Sequence, residues 1–200
     1  MKKKLFIFLI IFIFYFLGNQ FVLAAEKSII KRANNGDVEA QYELGIMYFT
    51  GSEKTPQNYV KAAEWLQKAA DRDHAYAQFY LGILYNRGDG LPKNFFKAAE
   101  WIGKASESGL VEAQYSLGLL YRDGQGVPQD NVNAYKWVNL ALTSDKLREE
   151  HRSVILKTRN ELEAILGQKE LTEAQEMSTI WWENKKNRPA DSESTNVSVD

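Results

Sequence analysis

The 200-residue chain contains no cysteine. That absence excludes disulfides, thiol nucleophiles, thiolate metal sites and a lipid-modified amino terminus together. Histidine is nearly absent too, with only His74 and His151. Two imidazoles do not make a three-ligand metal site, and neither stands in a His-Glu-x-x-His arrangement. Of four prolines, three (Pro56, Pro92 and Pro128) recur at one interval of 36 residues. There is no excess of basic charge: the net charge is −1. Residues 1–25 hold three lysines and no acid, so removing them leaves 22 basic against 26 acidic residues, a net of −4. That sign disfavours nucleic acid or an anionic membrane as the main partner. Without disulfides, the remaining 175 residues must be held by helix packing, and that length buries a sufficient core.

One long apolar run exists, at the start. Lys2, Lys3 and Lys4 precede Leu5 to Leu17, thirteen residues without a polar break. Gly18-Asn19-Gln20 interrupts the run, and Val22-Leu23-Ala24-Ala25 offers small residues for cleavage after Ala24 or Ala25. Thirteen apolar residues fall short of the roughly 20 needed to cross a bilayer. The expectation is a signal peptide over 1–25 and an exported protein, periplasmic or secreted. The alternative is an uncleaved anchor over Leu5 to Leu23, the sole membrane contact expected. At the other end, residues 184–200 lose all apolar periodicity and read as a disordered tail.

What is present between these ends is a repeat. Ala40-Gln41-Tyr42-Glu43-Leu44-Gly45, Ala77-Gln78-Phe79-Tyr80-Leu81-Gly82 and Ala113-Gln114-Tyr115-Ser116-Leu117-Gly118 are one phrase written three times. Each is followed by a tyrosine, at Tyr48, Tyr85 and Tyr121, and then by Trp65, Trp101 and Trp137, 36 residues apart. A period of this length means stacked supersecondary units. In the second copy, Ala77, Leu81, Leu84 and Tyr85 fall on one helical face. Gly82 costs about 1 kcal/mol inside a helix, which a close approach of a neighbouring helix would explain. Gly88-Asp89-Gly90-Leu91-Pro92 stops the helix, and Asn94 caps the next. That helix places Phe95, Ala98, Trp101, Ile102 and Ala105 on its buried side. Asn58 and Asp130 take the capping place in the other copies. The first turn, Gly51 to Pro56, is one residue longer and lacks the second glycine, so it should differ locally.

The pattern resembles the Sel-1-like repeat family, relatives of the tetratricopeptide repeat, over about residues 33–142. The residues that carry the resemblance are Ala40, Gln41, Leu44, Gly45, Tyr48, Gly51, Lys61, Ala62, Trp65, Lys68, Ala69 and Ala70, with their counterparts one and two periods on. It implies an all-α fold: a right-handed α-solenoid of antiparallel helix pairs with C-terminal capping helices, usually an adaptor or scaffold. Many bacterial members look like exported proteins of this size. The expected organisation is a half-repeat cap over 26–36, repeats over 37–73, 74–109 and 110–144, and capping helices over 145–183. The first capping helix is expected from about Asp145 to Leu166, buried through Leu147, Val154, Leu162 and Ile165 and ended by Gly167. Thr172-Glu173-Ala174-Gln175 reads as a capping box opening the last helix, which carries Ala174, Met177, Ile180 and Trp181.

No catalytic constellation emerges, and no cofactor or metal is expected. Gly88-Asp89-Gly90 and Gly124-Gln125-Gly126 lack the strand and the Lys-Ser/Thr of a nucleotide loop and read as helix-turn glycines. Ser28-Ile29-Ile30-Lys31 matches the Ser-x-x-Lys of penicillin-recognising enzymes, without a Ser-Asp-Asn or Lys-Thr-Gly partner. His74 and His151 read as surface or partly buried residues. The repeat-spaced tryptophans, with Tyr48, Tyr85 and Tyr121, read as core packing.

A second row lies beside the repeated phrase. Glu39, Tyr42 and Ile46 belong to the first copy, Tyr76, Phe79, Ile83 and Arg87 to the second, and Glu112, Tyr115, Leu119 and Arg122 to the third. In tetratricopeptide relatives the equivalent places line a concave groove, so the resemblance implies a groove for a protein or peptide partner. The competing reading is that these residues pack between repeats. The expected function is an exported, non-enzymatic scaffold for protein–protein interaction. The alternative is a cell-envelope enzyme or binder acting on β-lactams or peptidoglycan.

Overall fold

A computed structural model describes residues 25–52 and 55–187. The expected leader and tail lie outside these residues, except for Ala25 and 184–187. All regular structure among the described residues is helical: α1 (residues 25–34), α2 (Val38–Thr50), α3 (Tyr59–Ala70), α4 (Ala75–Arg87), α5 (Phe95–Glu107), α6 (Val111–Asp123), α7 (Asn131–Thr143), α8 (Glu149–Ile165) and α9 (Gln168–Lys186). The chain divides into two compact units at Lys93/Asn94. The first holds α1 to α4, the second α5 to α9.

The second helix of each repeat begins where its capping residue stands. Asn58, Asn94 and Asp130 each have an extended backbone, and each accepts a hydrogen bond at 3.0 Å, from the N–H of Lys61, Lys97 and Asn133 respectively. Losing such a cap costs about 1 kcal/mol. Asn94→Ala is therefore expected to destabilise the second unit by about that amount while leaving α5 in place, as thermal melting with far-UV circular dichroism would show.

At two of the repeated glycines, Gly45 and Gly118, another helix comes close. A Cβ on Gly45 would stand 2.7 Å from the Leu66 side chain, and one on Gly118 would stand 2.6 Å from Val138 Cγ2. The turn glycines meet backbone instead. At Gly90 a Cβ would lie 2.5 Å from the Tyr59 carbonyl oxygen, and at Gly126 it would fall on the Phe95 carbonyl. Both glycines have positive φ, 70° and 76°. The longer first turn does differ: Gly51 ends α2 at ψ 163°, whereas Gly88 and Gly124 end their helices in the left-handed region.

The glutamine of the repeated phrase has a structural task. Gln41, Gln78 and Gln114 are buried, and each donates from Nε2 to the carbonyl eight residues earlier, that of Ala33, Ala70 and Ser106, at 3.2–3.4 Å. Each glutamine thus ties the start of its helix to the end of the preceding one. The tryptophans depart from the expectation. Trp137 is buried, but Trp65 and Trp101 are only half-buried, each beneath a lysine one turn on, with Lys68 at 3.7 Å and Lys104 at 4.1 Å from the ring centre. Tyr48, Tyr85 and Tyr121 are half-buried too. The difference at Trp137 is a covering element: Trp181 of α9 packs edge-on to it, with centroids 6.2 Å apart.

The capping helices form as a pair but with other boundaries and a partly different buried face. The first starts at Glu149, not Asp145. Its buried residues are Ile155, Thr158 and Leu162, joined by Leu147 from the preceding turn, whereas Val154 and Ile165 are 56% and 61% exposed. Leu147 and Leu162 are buried as expected, but the rest of the buried face shifts from Val154 and Ile165 to Ile155 and Thr158, because Ile155 fits the core beside Leu162. Gly167 ends α8 without a left-handed turn (φ −72°) and starts α9, its N–H donating to Glu170 Oε2 at 2.9 Å. Thr172 therefore lies inside α9, bonded to the Gln168 carbonyl, instead of capping it. Ala174 is buried on α9, Met177 and Trp181 are half-buried, and Ile180 is exposed. The helix runs to Lys186, into the stretch expected to be irregular, where Lys185 Nζ donates to the Ser108 carbonyl at 3.3 Å.

Candidate functional site

The first unit assembles its part of the second row. Glu39, Tyr42 and Ile46 share one face of α2, and Tyr76, Phe79, Ile83 and Arg87 share one face of the adjoining α4. The Tyr42 ring lies 6.0 Å from that of Tyr76 and 6.4 Å from that of Tyr80. Phe79 meets Tyr80 edge-on at 5.7 Å, and Phe49 meets Tyr80 at 5.2 Å. Tyr76 is 47% exposed, and the Glu39 side chain is 59% exposed. The result is an aromatic surface with a carboxylate at its edge.

His74 builds that edge. Its Nδ1 accepts the Ala77 N–H at 3.1 Å and so caps α4. An acceptor Nδ1 leaves the proton on Nε2, which stands 3.1 Å from Glu39 Oε2. The imidazole face stacks on Tyr42 at 4.4 Å. Burial, together with the neighbouring Tyr80, Tyr76 and Glu39, pushes the Tyr42 hydroxyl up to about 12. The ring therefore stays neutral throughout the physiological range, and the surroundings oppose negative charge there.

Sequence reasoning named Tyr42 and Tyr76 but missed Tyr80 and the work of His74. A signal for the histidine did exist. His74 stands immediately before a repeat helix, at the place Asp37 occupies in the copy before, and Asp37 likewise caps its helix by accepting from the Ala40 N–H.

The second unit treats its row differently. Glu112, Tyr115, Leu119 and Arg122 again share one helix, α6. The Tyr115 hydroxyl is 3.0 Å from Thr158 Oγ1 of α8, and its ring packs on the core that α8 completes. Arg122 is held by its neighbour Asp123, at 2.7 and 3.1 Å, which raises its pKa further. The third aromatic of the row is thus tied into the capping helix.

Ser28 and Lys31 are exposed on α1, and neither side chain hydrogen-bonds to another described residue. His151 lies 3.7 Å from Glu150. Among the described residues, no three His, Asp or Glu side chains are placed to hold a metal ion.

A model of the Sel1 repeat matches residues 38–74, 75–110 and 111–145, which is more than half of the chain. The chain belongs to the Sel1 repeat family. Two solved structures resemble this Sel1 repeat protein. One is c5321, a protective antigen present in uropathogenic Escherichia coli strains that displays an SLR fold. It is 27% identical with a TM-score of 0.57, and the match covers 89% of this chain and 46% of the antigen. The other is a Sel1 repeat protein from Oxalobacter formigenes, 33% identical with a TM-score of 0.56, matched over 66% of this chain and 96% of its own. A curated relative, the ERAD-associated E3 ubiquitin-protein ligase component HRD3A of Arabidopsis thaliana, is 35% identical over 59 residues. Those residues make up 30% of this chain and 9% of the plant protein. The helix-pair repeat fold expected from the resemblance is thereby shown, and with it a family whose members generally mediate protein–protein interaction.

Proposed function

We propose that this protein is an exported, non-enzymatic scaffold that binds another protein through the face shared by α2 and α4. The observation that carries the reading is the aromatic surface of Tyr42, Tyr76, Phe79 and Tyr80, which pairs half-exposed rings with a rigid base. Aromatic side chains on a preformed surface supply contact area at low entropic cost and dominate many interfaces. Export rests on the basic start, the apolar run and the small residues before Glu26. The β-lactam reading is disfavoured because the exposed Ser28 makes no hydrogen bond to Lys31 that would activate its hydroxyl.

Changing Tyr42, Tyr76 and Phe79 to alanine together is expected to abolish partner capture by in-cell cross-linking while the helical signal persists. Tyr115 is left intact because its removal would untie α8. Undiminished capture by the folded triple variant would defeat the assignment of the face. The export reading predicts a mature protein beginning at Ala25 or Glu26, measurable by intact mass of the protein recovered outside the cytoplasm. A mass that retains Met1 or Lys2 would overturn it.

A further inference from the structure

We propose that the α2–α4 face recognises an arginine side chain of its partner, with the guanidinium stacked on Tyr76 and paired with Glu39. This deepens the binding reading above and rests on it. The chemistry starts from Glu39. One carboxylate oxygen is engaged by His74, yet the side chain remains 59% exposed, so the group keeps capacity to accept from a second donor. The His74 bond also fixes the carboxylate in place, because the imidazole is itself locked by the Ala77 N–H and by stacking on Tyr42. An acceptor held this way loses little freedom on pairing.

The neighbouring groups are π-faces. Tyr76 is 47% exposed and lies 6.0 Å from Tyr42, which in turn lies 4.4 Å from His74. A planar cation that stacks on an aromatic face and presents a fork of donors to a carboxylate is guanidinium, and an ammonium matches only half of that description. The charge balance agrees. His74, the basic side chain that stacks on Tyr42 and meets Glu39, has its Nδ1 used as an acceptor from the Ala77 N–H. Arg32 hydrogen-bonds Asp37 and lies 3.8 Å from Glu43, with Glu39 only a weaker, longer-range charge to it, and Arg72 donates to the Gly36 carbonyl. Arg87 stands at the opposite end of α4, three turns from Tyr76.

The test uses the full chain and two short acetylated, amidated peptides, Gly-Arg-Gly and Gly-citrulline-Gly. Citrulline keeps the planar shape of arginine and removes the charge. Two-dimensional NMR should show the arginine peptide shifting amides around Glu39 and Tyr76, with the citrulline peptide binding about tenfold more weakly. Glu39→Gln should cost the arginine peptide about tenfold, Tyr76→Leu about threefold, and Tyr76→Phe almost nothing. Equal binding of the two peptides, or an arginine response unchanged in Glu39→Gln, overturns the proposal. Partner capture that survives Glu39→Gln but fails in the alanine triple variant would overturn the arginine assignment alone and leave the binding face standing. Capture that survives both would remove the face itself.

Discussion

Gly126→Ala is expected to be among the most damaging single changes in the second unit, lowering its stability by about 3 kcal/mol. Two costs add. At φ 76° the backbone is in the left-handed region, where a Cβ costs about 1–2 kcal/mol. The new Cβ would also fall on the Phe95 carbonyl at the head of α5, and neither backbone segment can yield without moving a helix. Overpacking of that kind costs about 1–3 kcal/mol. For a chain of this size the melting transition of the unit should drop by about 6–12 °C. Gly124→Ala separates the two costs. Gly124 also has positive φ, 64°, but its added Cβ would stand 3.3 Å from Gln129 Cβ, a contact that a shift of a few tenths of an ångström relieves. Backbone strain alone should cost about 1–2 kcal/mol there. Equal melting shifts for the two variants would show that the close approach of Phe95 contributes nothing.

Leu162→Ala should cost about 2–5 kcal/mol. Leu162 is 1% exposed and lies in the cluster with Ile155, Ala174, Val138 and Tyr135, where α8 and α9 meet α7. Truncation leaves a cavity among helices that are already fixed by their turns, so collapse can recover only part of the loss. Hydrogen exchange should show α8 and α9 losing protection first, with the amides of α2 and α3 unchanged, because stability in repeat arrays is governed by nearest neighbours. Val154→Ala is the comparison. Val154 is 56% exposed, so its truncation should stay within about 0.5 kcal/mol. A large effect at Val154 would mean that α8 packs on the face expected from periodicity and not on the one described here, since Leu162 is buried on both.

The two helices of each repeat were legible because each signal was local and written three times. Asn58, Asn94 and Asp130 cap where they stand, and a cap needs only its own first turn. The capping helices had no second copy to check against. Their apolar residues fit two overlapping faces that share Leu162, and the choice between Val154 and Ile155 depends on what α6 and α7 present. Thr172 likewise carried a valid capping pattern, but Gly167 and Glu170 made one a turn earlier. The aromatic row was legible as a set of positions, while the partners of its members were not. Tyr80 falls off the repeat pattern, and His74 looks ordinary until its Nδ1 is seen to accept from Ala77.

The sequence by itself determined the class of fold, the number of repeats, the turn chemistry and the absence of any thiol chemistry. These follow from periodicity, caps and composition, which act over a few residues. Only the tertiary structure decided which row residues lie open and which are tied down. Tyr76 stays half exposed beside Tyr42, whereas Tyr115 meets Thr158, 43 residues further along the chain. Exposure is a property of what another segment covers, and identical local grammar in three copies carries no record of where α8 lies.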